Sequence, residues 1–211
     1  VPVALHADHS SFEQVLDAID AGFSSVMFDG TLLPFEENLH KSEQLVEICR
    51  KKGISVECEV NGIGGEEDGV VTVGGTADPE QCRRLGLIGI DMLAAGIGNI
   101  HGNYPADWPG LHFDLLEEIA RITDYTPLVL HGGSQIPANM LRRAIALGIS
   151  KINVNTECQM AFAAAVREYI EQGKDRIKTG YSLQALLSPG VEAIQRVAMD
   201  KMMLFGSVGK A

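Results

Sequence analysis

The stretch Leu-Val-Leu-His-Gly-Gly-Ser-Gln-Ile-Pro, residues 128–137, decides the fold. Its three leading apolar residues predict a short strand that is buried on both faces. His131 would then lie at the carboxyl end of that strand, where parallel α/β folds keep their chemistry. Gly132 and Gly133 let the backbone approach a ligand closely, and their N–H groups with the Ser134 hydroxyl suit a phosphate. One histidine beside a glycine pair is weak evidence, so the other strand ends have to be compared with it.

Strand and helix patterns alternate along the whole chain. We predict strands at residues 1–6, 24–28, 55–60, 91–97, 128–130 and 151–154. We predict helices at residues 11–21, 35–52, 115–122, 140–147, 157–172 and 191–203, and a short helix opened by Asp78 and Pro79. The glycine-rich residues 61–76 are predicted to form a long polar loop. Six β/α units with this spacing indicate a parallel sheet.

The number of units bears on the architecture. A (β/α)8 TIM barrel has eight units and typically ~250 residues, whereas this chain has 211 residues and begins inside a predicted strand. We therefore expect residues 1–211 to form a single barrel domain with strands 3 to 8 and the C-terminal helix, the first two β/α units being absent. A doubly wound sheet is the alternative. Candidate functional residues at nearly every strand end, instead of at one switch point, favour the barrel.

Composition excludes several classes of function. Hydrophobic residues make up 45% of the chain, enough for a substantial core, yet no run of 18 apolar residues suggests a membrane span. A net charge of −11 argues against nucleic acid and anionic membrane as partners. The four cysteines have no paired spacing, and no signal peptide is evident. We therefore expect a cytoplasmic protein with reduced thiols at Cys49, Cys58, Cys82 and Cys158.

Four of the six predicted strands end in side chains that can bind a divalent metal or move a proton. These are His6, Asp8 and His9 after the first strand, Glu57 and Glu59 in the third, His101 after the fourth, and His131 after the fifth. In a barrel such ends converge on one rim. Neutral imidazoles from His9, His101 and His131 would form a three-histidine zinc site with an open fourth position. The same site in a metal-dependent barrel hydrolase would hold an activated water, which is a rival interpretation.

The residues at these strand ends resemble the class II, zinc-dependent fructose-bisphosphate and tagatose-bisphosphate aldolases, which are TIM barrels. The resemblance runs in order over essentially the whole chain. It is carried by Val-Ala-Leu-His-Ala-Asp-His (3–9), Ser-Val-Met-Phe-Asp-Gly (25–30), Leu-Pro-Phe-Glu-Glu-Asn (33–38), Val-Glu-Cys-Glu (56–59), Gly-Gly-Glu-Glu-Asp (64–68), Asn-Ile-His-Gly (99–102), Leu-His-Gly-Gly-Ser (130–134), Lys-Ile-Asn-Val-Asn-Thr-Glu (151–157) and Leu-Phe-Gly-Ser-Val-Gly-Lys-Ala (204–211).

The resemblance implies a role for each matching position. It implies that zinc is bound by His9, His101 and His131, and that a second metal position is formed by Asp29 and Glu59. Asp8 corresponds to the acid/base at the hydroxyl of the bond that is cleaved. A glutamate of the mobile loop, Glu66 or Glu67, exchanges the proton on the ketone half. The dihydroxyacetone-phosphate site corresponds to Gly102, Gly132, Ser134, Asn153, Asn155 and Thr156, with a monovalent cation (K⁺ or Na⁺) nearby in some members.

Simpler interpretations stay open for several of these residues. Asp8 can cap the following helix, Glu66 and Glu67 can be a solvated charge run, and the two asparagines can turn the chain. His6 is either a neighbour of the ligands or a packing residue.

The activity implied by the resemblance is that of a glycolytic lyase acting on a phosphorylated ketose, with the chain assembled as a homodimer or homotetramer. Fructose 1,6-bisphosphate is the first expectation and tagatose 1,6-bisphosphate the second. Gln184 stands where the family usually has an arginine for the distal phosphate, and Pro105 where a lysine is frequent. A ketose 1-phosphate with a differently charged tail is therefore an alternative substrate. A subunit that binds sugar phosphate without catalysis is a further alternative.

Overall fold

The computed structural model describes residues 2–67, 70–72, 74–124 and 126–210, and within residues 66–72 it describes the backbone alone. The described strands are β1 His6–Ser10, β2 Ser25–Phe28, β3 Ser55–Val60, β4 Gly64–Glu67, β5 Val70–Thr72, β6 Met92–Ala95, β7 Ile100–His101, β8 Leu128–Leu130 and β9 Ile149–Ile152. The described helices are α1 Phe12–Asp20, α2 Phe35–Lys52, α3 Pro79–Leu87, α4 Phe113–Ile122, α5 Ala138–Ala146, α6 Thr156–Glu171 and α7 Leu183–Phe205, with a 3-10 turn at Lys174–Arg176.

Six strands form a parallel sheet in the order β1-β2-β3-β6-β8-β9. The sheet is strongly curled, which is shown by a contact between side chains of its two outermost strands. The Nζ of Lys151 on β9 lies 3.3 Å from Nε2 of His6 on β1. This parallel order of consecutive β/α units confirms the predicted barrel-type α/β architecture.

Alternation along the strands separates two apolar regions. On β3, Val56, Cys58 and Val60 belong to the large core between the sheet and the helices. A small second cluster, the inner cluster of Met27, Ala94 and Val129, lies on the opposite, concave face of the sheet. Towards the carboxyl ends of the strands the concave face becomes polar, with Glu57, Glu59 and His131 all buried.

Local signals fix the ends of several helices. Ser11 caps α1 in a reciprocal capping box with Gln14, so Asp8 is not the cap of this helix. Helix α2 ends at Gly53, whose φ of 69° suits the left-handed conformation of a C-terminal cap. Asp78 caps α3 and Pro79 follows at the first helical position.

Two sequence-based boundaries were wrong. The first strand was predicted at residues 1–6 but spans His6–Ser10, because its pairing with β2 begins at His6 and Ser25. The last helix was predicted from residue 191 but begins at Leu183 and contains Pro189. Packing against α6 overrides the helix-breaking signal, since a Cβ on Gly190 would lie 2.4 Å from the Phe162 ring.

The segment 61–76 was predicted as a loop, and this too was wrong. Its strands β4 and β5 form an antiparallel hairpin, and β4 also pairs in parallel with β7. Gly65 lies opposite His101, where an added Cβ would come within 2.1 Å of the His101 carbonyl oxygen. The glycine content that suggested a loop is therefore what lets this hairpin dock closely beside β7. Across the described part of the chain, no helix has the length and apolar character needed to cross a membrane.

Candidate metal centre and substrate site

Three imidazoles from distant parts of the chain converge at the carboxyl end of the sheet. The ring centroids of His9 and His131 are 4.7 Å apart, those of His9 and His101 5.0 Å, and those of His101 and His131 5.7 Å. One nitrogen from each ring lies within 4.8 Å of the others. The predicted meeting of these three side chains is therefore present, in a geometry that can hold one metal ion.

A bulge in β1 brings two consecutive side chains into this site. The register between β1 and β2 shifts between Ala7 and Ser10, and His9 has a positive φ of 40°. In a regular strand Asp8 and His9 would point to opposite faces, but here both reach the same rim. A non-glycine residue in the left-handed region is strained, which is common at functional sites.

The rings of His9 and His131 each make a hydrogen bond on the side that faces away from the centre. His9 Nδ1 donates to Oδ2 of Asp29 at 3.0 Å, so His9 Nε2 faces His131. His131 Nε2 donates to Oε1 of Glu57 at 2.9 Å, so its Nδ1 faces His9 at 3.0 Å. This pattern matches the general rule that a metal-binding histidine is oriented by a hydrogen bond made by its other ring nitrogen.

A second group of candidate ligands shares His9. Nitrogen and oxygen atoms of His9, Asp29 and Glu59 also lie within 4.8 Å of one another. Glu59 is buried, and within the described residues its Oε2 has no hydrogen-bond partner. Burial, together with the nearby Asp29 carboxylate, raises the pKa of Glu59 to about 8. A buried carboxylate oxygen without a partner, beside an acid and an imidazole, fits a cation.

Charges around His9 alter the pKa of both members of its ion pair. Burial by itself lowers the pKa of His9, but the hydrogen bond to Asp29 and the carboxylates of Glu59 and Asp8 raise it to about 9. Burial by itself raises the pKa of Asp29, but hydrogen bonds from His9 and Thr31 lower it to about 2. Without a metal, the site therefore carries a proton on His9 at neutral pH.

Asp8 lies at the edge of the histidine group and is ionised. Burial opposes its charge, but the hydrogen bond from His6 and electrostatic interactions with the nearby His131 and His9 rings hold the pKa of Asp8 well below its ordinary value. Its Oδ2 accepts a hydrogen bond of 3.0 Å from Nδ2 of Asn153. A carboxylate that is ionised and partly exposed can accept a proton from a ligand in the site.

The predicted phosphate-binding residues follow neighbouring strands. Gly102 follows β7, Gly132 and Ser134 follow β8, and Asn153 and Asn155 connect β9 to α6, which begins at Thr156. The segment is tightly braced, since Gly133 N donates to the Asn153 carbonyl at 2.8 Å and the Glu157 N donates to Ser134 Oγ at 3.2 Å. Asn153 also places Nδ2 3.2 Å from His131 Nδ1, which joins this segment to the histidines.

Gly132 is required for the close approach of this segment to β7. It has a φ of 64°, and an added Cβ would lie 1.9 Å from the Ile100 carbonyl oxygen. The hydroxyl of Tyr104 donates to the Gly132 carbonyl at 2.9 Å and so fixes the turn. Gly132 and Gly133, which were predicted to bind an anion, are thus held in a fixed position beside β7, the strand that carries His101.

The backbones of Glu66 and Glu67 lie in β4, and their side chains lie outside the described part of the structure. Pairing of β4 with β7 places the hairpin next to His101. The role of a loop acid, and the choice between the two glutamates, therefore stay predictions.

Glu57 and Lys151, to which the sequence analysis assigned no specific role, lie inside the site. Glu57 is fully buried and bonds both His131 and Lys151, and His6 Nε2 lies 3.6 Å from its Oε2. The sequence did contain a signal for the importance of Glu57, because Glu57 and Glu59 lie two residues apart on an otherwise apolar strand. That spacing puts two carboxylates on one buried face, which is rare without partners.

A curled parallel sheet that gathers three histidines and several carboxylates at its carboxyl end defines a metal-dependent enzyme of the α/β-barrel class. The class can be narrowed further by comparison with known proteins. The family model described as "Fructose-bisphosphate aldolase class-II" matches residues 1–210. This chain belongs to the class II fructose-bisphosphate aldolase family, as the sequence resemblance predicted.

Curated relatives and solved structures agree with that family. The chain is 53% identical to a fructose-bisphosphate aldolase from Mycoplasma pneumoniae, over all of this chain and 74% of the relative. It is 48% identical to one from Streptococcus pneumoniae, again over all of this chain and 74% of the relative. The crystal structure of the YdjI aldolase from Escherichia coli K12 is 35% identical, with a TM-score of 0.81, and covers 100% of this chain and 72% of that one. A fructose-bisphosphate aldolase from Campylobacter jejuni is 25% identical, with a TM-score of 0.78 and the same coverage.

Proposed function

We propose that this protein is a zinc-dependent aldolase that reversibly cleaves fructose 1,6-bisphosphate to dihydroxyacetone phosphate and glyceraldehyde 3-phosphate. The observation that carries the proposal is the convergence of His9, His101 and His131 within 4.8 Å, next to an ionised Asp8 and a glycine-bounded segment. Family membership and the names of the relatives support the substrate.

His9, His101 and His131 would hold the zinc, and Asp29 and Glu59 would offer a second metal position. When bound there, zinc supplies a Lewis acid that polarises the ketose carbonyl and stabilises negative charge on the ketone half. The chain supplies the orientation, because Asp29 fixes the ring of His9 and Glu57 fixes that of His131.

Asp8 would act as the base of the cleavage. The C3–C4 bond breaks as the proton of the C4 hydroxyl moves to Oδ2 or Oδ1 of Asp8, which releases the aldehyde half. The amide of Asn153 holds the carboxylate at 3.0 Å and keeps it facing the site. In the direction of synthesis the same group returns that proton.

A second acid is needed for the ketone half, whose C3 carbon must gain a proton before dihydroxyacetone phosphate leaves. Glu66 or Glu67 would supply it from β4 and its hairpin. Pairing of β4 with β7 supports the assignment, because it places the hairpin directly beside the strand that carries His101. Closure of such a hairpin would also keep water from the reactive carbon.

The phosphate of the ketone half would bind the segment that contains Gly102, Gly132, Ser134, Asn153, Asn155 and Thr156, with K⁺ or Na⁺ nearby. Backbone N–H groups and hydroxyls at the start of α6 suit an anion without requiring a basic side chain. This matters in a chain with a net charge of −11. The four described thiols are free, which supports a cytoplasmic location. We also propose a homodimer or homotetramer, supported by exposed apolar side chains along α7 such as Leu183 and Met203.

The direct test is cleavage of fructose 1,6-bisphosphate by the zinc-loaded protein and by the chelated protein, with the dihydroxyacetone phosphate released measured by a coupled reductase. We expect product with zinc, loss of activity with chelator, and recovery on adding zinc back. Binding of the sugar without product in every metal state would instead support a non-catalytic binding subunit. Phosphate or water-addition products without dihydroxyacetone phosphate would support a hydrolase.

One observation favours a second substrate class. Gln184, near the start of α7, is uncharged and stands where the resemblance implies an arginine for the distal phosphate. A ketose 1-phosphate with an uncharged tail would need no such cation, whereas a second phosphate would. A panel of fructose 1,6-bisphosphate, tagatose 1,6-bisphosphate and ketose 1-phosphates of increasing length, compared by kcat/KM, separates these substrates.

A further inference from the structure

The buried carboxylate of Glu57 uses both of its oxygens. Oε1 accepts from His131 Nε2 at 2.9 Å, and Oε2 accepts from Lys151 Nζ at 2.7 Å. The side chains of Glu57 and His131 are both 0% exposed, so the contact between them is closed to solvent. A charge buried this deeply is stable only when it is paired and hydrogen-bonded, and here Lys151 provides the opposite charge.

We propose that Glu57, paired with Lys151, is a positioning residue that fixes the tautomer and orientation of His131 so that Nδ1, and not Nε2, faces the metal centre. The expected effect of Glu57 on zinc affinity rests on the proposed function. The expected effect on the His131 tautomer does not, because the tautomer is a property of the metal-free protein.

The hydrogen-bonding capacity of Glu57 limits which tautomer His131 can adopt. A carboxylate that is ion-paired with a lysine can only accept hydrogen bonds, so His131 Nε2 must carry the hydrogen. In a neutral imidazole, Nδ1 then keeps its lone pair. Nδ1 is the nitrogen that faces the centre, since His9 Nε2 lies 3.0 Å and Asn153 Nδ2 3.2 Å from it. A lone pair aimed at the centre is what a metal ion requires.

Lys151 extends this control across the barrel rim. It lies on β9, Glu57 on β3 and His131 just after β8, so the two contacts tie together three strands of the sheet. Lys151 Nζ is also 3.3 Å from Nε2 of His6, whose Nδ1 is 2.7 Å from Ser25 Oγ. The contact of Lys151 Nζ with Oε2 leaves Oε1 directed at His131 and prevents the carboxylate from rotating away from that ring.

The key variant is Glu57→Gln. An amide of the same shape can donate to Nε2, which permits the opposite tautomer with the hydrogen on Nδ1. Lys151→Met removes the cation while keeping the stem, and Lys151→Arg restores a cation. The matched control is the exposed pair of Lys51 and Glu47 on α2, which has the same 2.7 Å contact with both side chains 71% exposed. The control variants are Lys51→Met and Glu47→Gln.

Two measurements are made on each protein: the ¹⁵N chemical shifts of the His131 ring in the metal-free state, assigned by comparison with His131→Asn, and the zinc Kd measured against a competing chelator. We expect a fixed Nε2–H tautomer in the native protein and a mixture or reversal in Glu57→Gln. We expect zinc binding to weaken about 10–100-fold in Glu57→Gln and less in Lys151→Met, with Lys151→Arg and the control pair near native.

An Nε2–H tautomer that persists in Glu57→Gln, with a zinc Kd within threefold of native, would overturn the proposal. If Glu57→Gln fails to fold, Lys151→Met decides by the same criteria. A native protein that binds no zinc or cleaves no ketose would refute the proposed function, while a tautomer change in Glu57→Gln would still support the positioning role. Loss of folding stability with an unchanged tautomer would show a structural role instead, and so contradict the proposal.

Discussion

His9 Nε2 lies 3.0 Å from His131 Nδ1, although the two residues are 122 positions apart in the chain. Two imidazole nitrogens at this distance share one hydrogen in the metal-free protein, and the raised pKa of His9 places that hydrogen on His9. A metal that binds both nitrogens must displace it. The geometry therefore links zinc binding to proton release.

Replacing His131 removes the nitrogen on which the site converges. We expect His131→Ala to lose zinc binding and cleavage activity together, because neither His9 nor His101 can replace a ligand from β8. Zinc content after dialysis and turnover of fructose 1,6-bisphosphate check this. The control is His40→Ala, whose side chain is exposed on α2 and 69% accessible. Full activity of His131→Ala in chelated buffer would contradict the metal site.

Replacing Asp8 separates metal binding from catalysis. We expect Asp8→Ala to keep zinc but to lose about 10²–10⁴-fold in kcat, the usual effect of removing a general base. Zinc content and steady-state kinetics on the same preparation provide the check. Asn153→Ala should weaken turnover less, since it removes only the hydrogen bond that holds Asp8. Near-native cleavage by Asp8→Ala would remove this residue from the mechanism.

Zinc affinity should depend on pH with a definite sign. The pKa of His9 is raised from 6.5 to about 9, so at neutral pH the metal competes with a bound proton. Affinity should rise about tenfold per pH unit for each displaced proton and should level off above the raised pKa. Chelator competition between pH 6.5 and 9.5 measures the slope. An affinity that stays constant over this range would contradict protonation of His9 in the metal-free state.

The same shift predicts how the stability of the metal-free protein changes with pH. Because the folded-state pKa of His9 exceeds its unfolded value of 6.5, its contribution to the free energy of unfolding is fully present below 6.5 and is lost as the pH rises through about 9. Glu59, raised to about 8, acts in the same direction. The Tm of the chelated protein should therefore fall over this interval, and saturating zinc should remove the trend. A Tm that rises with pH in the chelated protein would reverse the assigned sign.

Gly132 offers a test of how tightly the predicted phosphate-binding turn after β8 is packed, and Gly53 is a close control. Gly132→Ala should destabilise the fold by about 3 kcal/mol or more, since left-handed strain of about 1 kcal/mol is joined by a clash with the Ile100 carbonyl. Gly53→Ala has a similar φ of 69° but nothing within 4 Å of its added Cβ, so only the strain should remain. Urea unfolding of both variants gives the difference. Equal losses in the two variants would mean that the approach to β7 is not tight.

Some elements could be predicted closely because their signals are local. Helix α2 was predicted at the residues it occupies, since its apolar spacing and the glycine at position 53 lie within one continuous segment. Strand β3 was equally accurate. The hairpin at 64–72 and the start of α7 were missed, because the contacts that decide them come from elsewhere in the chain. Gly65 packs on His101, and Gly190 packs on Phe162.

The sequence by itself determined which chemistry is available and in what order. It specified a histidine, acid or glycine pair at successive strand ends, and parallel pairing brings such ends to one edge. The tertiary structure alone decided which nitrogen of His131 faces the centre, because that depends on Glu57 and Lys151 from two other strands. It also decided the charge states of His9 and Glu59, since burial and neighbouring charges exist only after the sheet has curled.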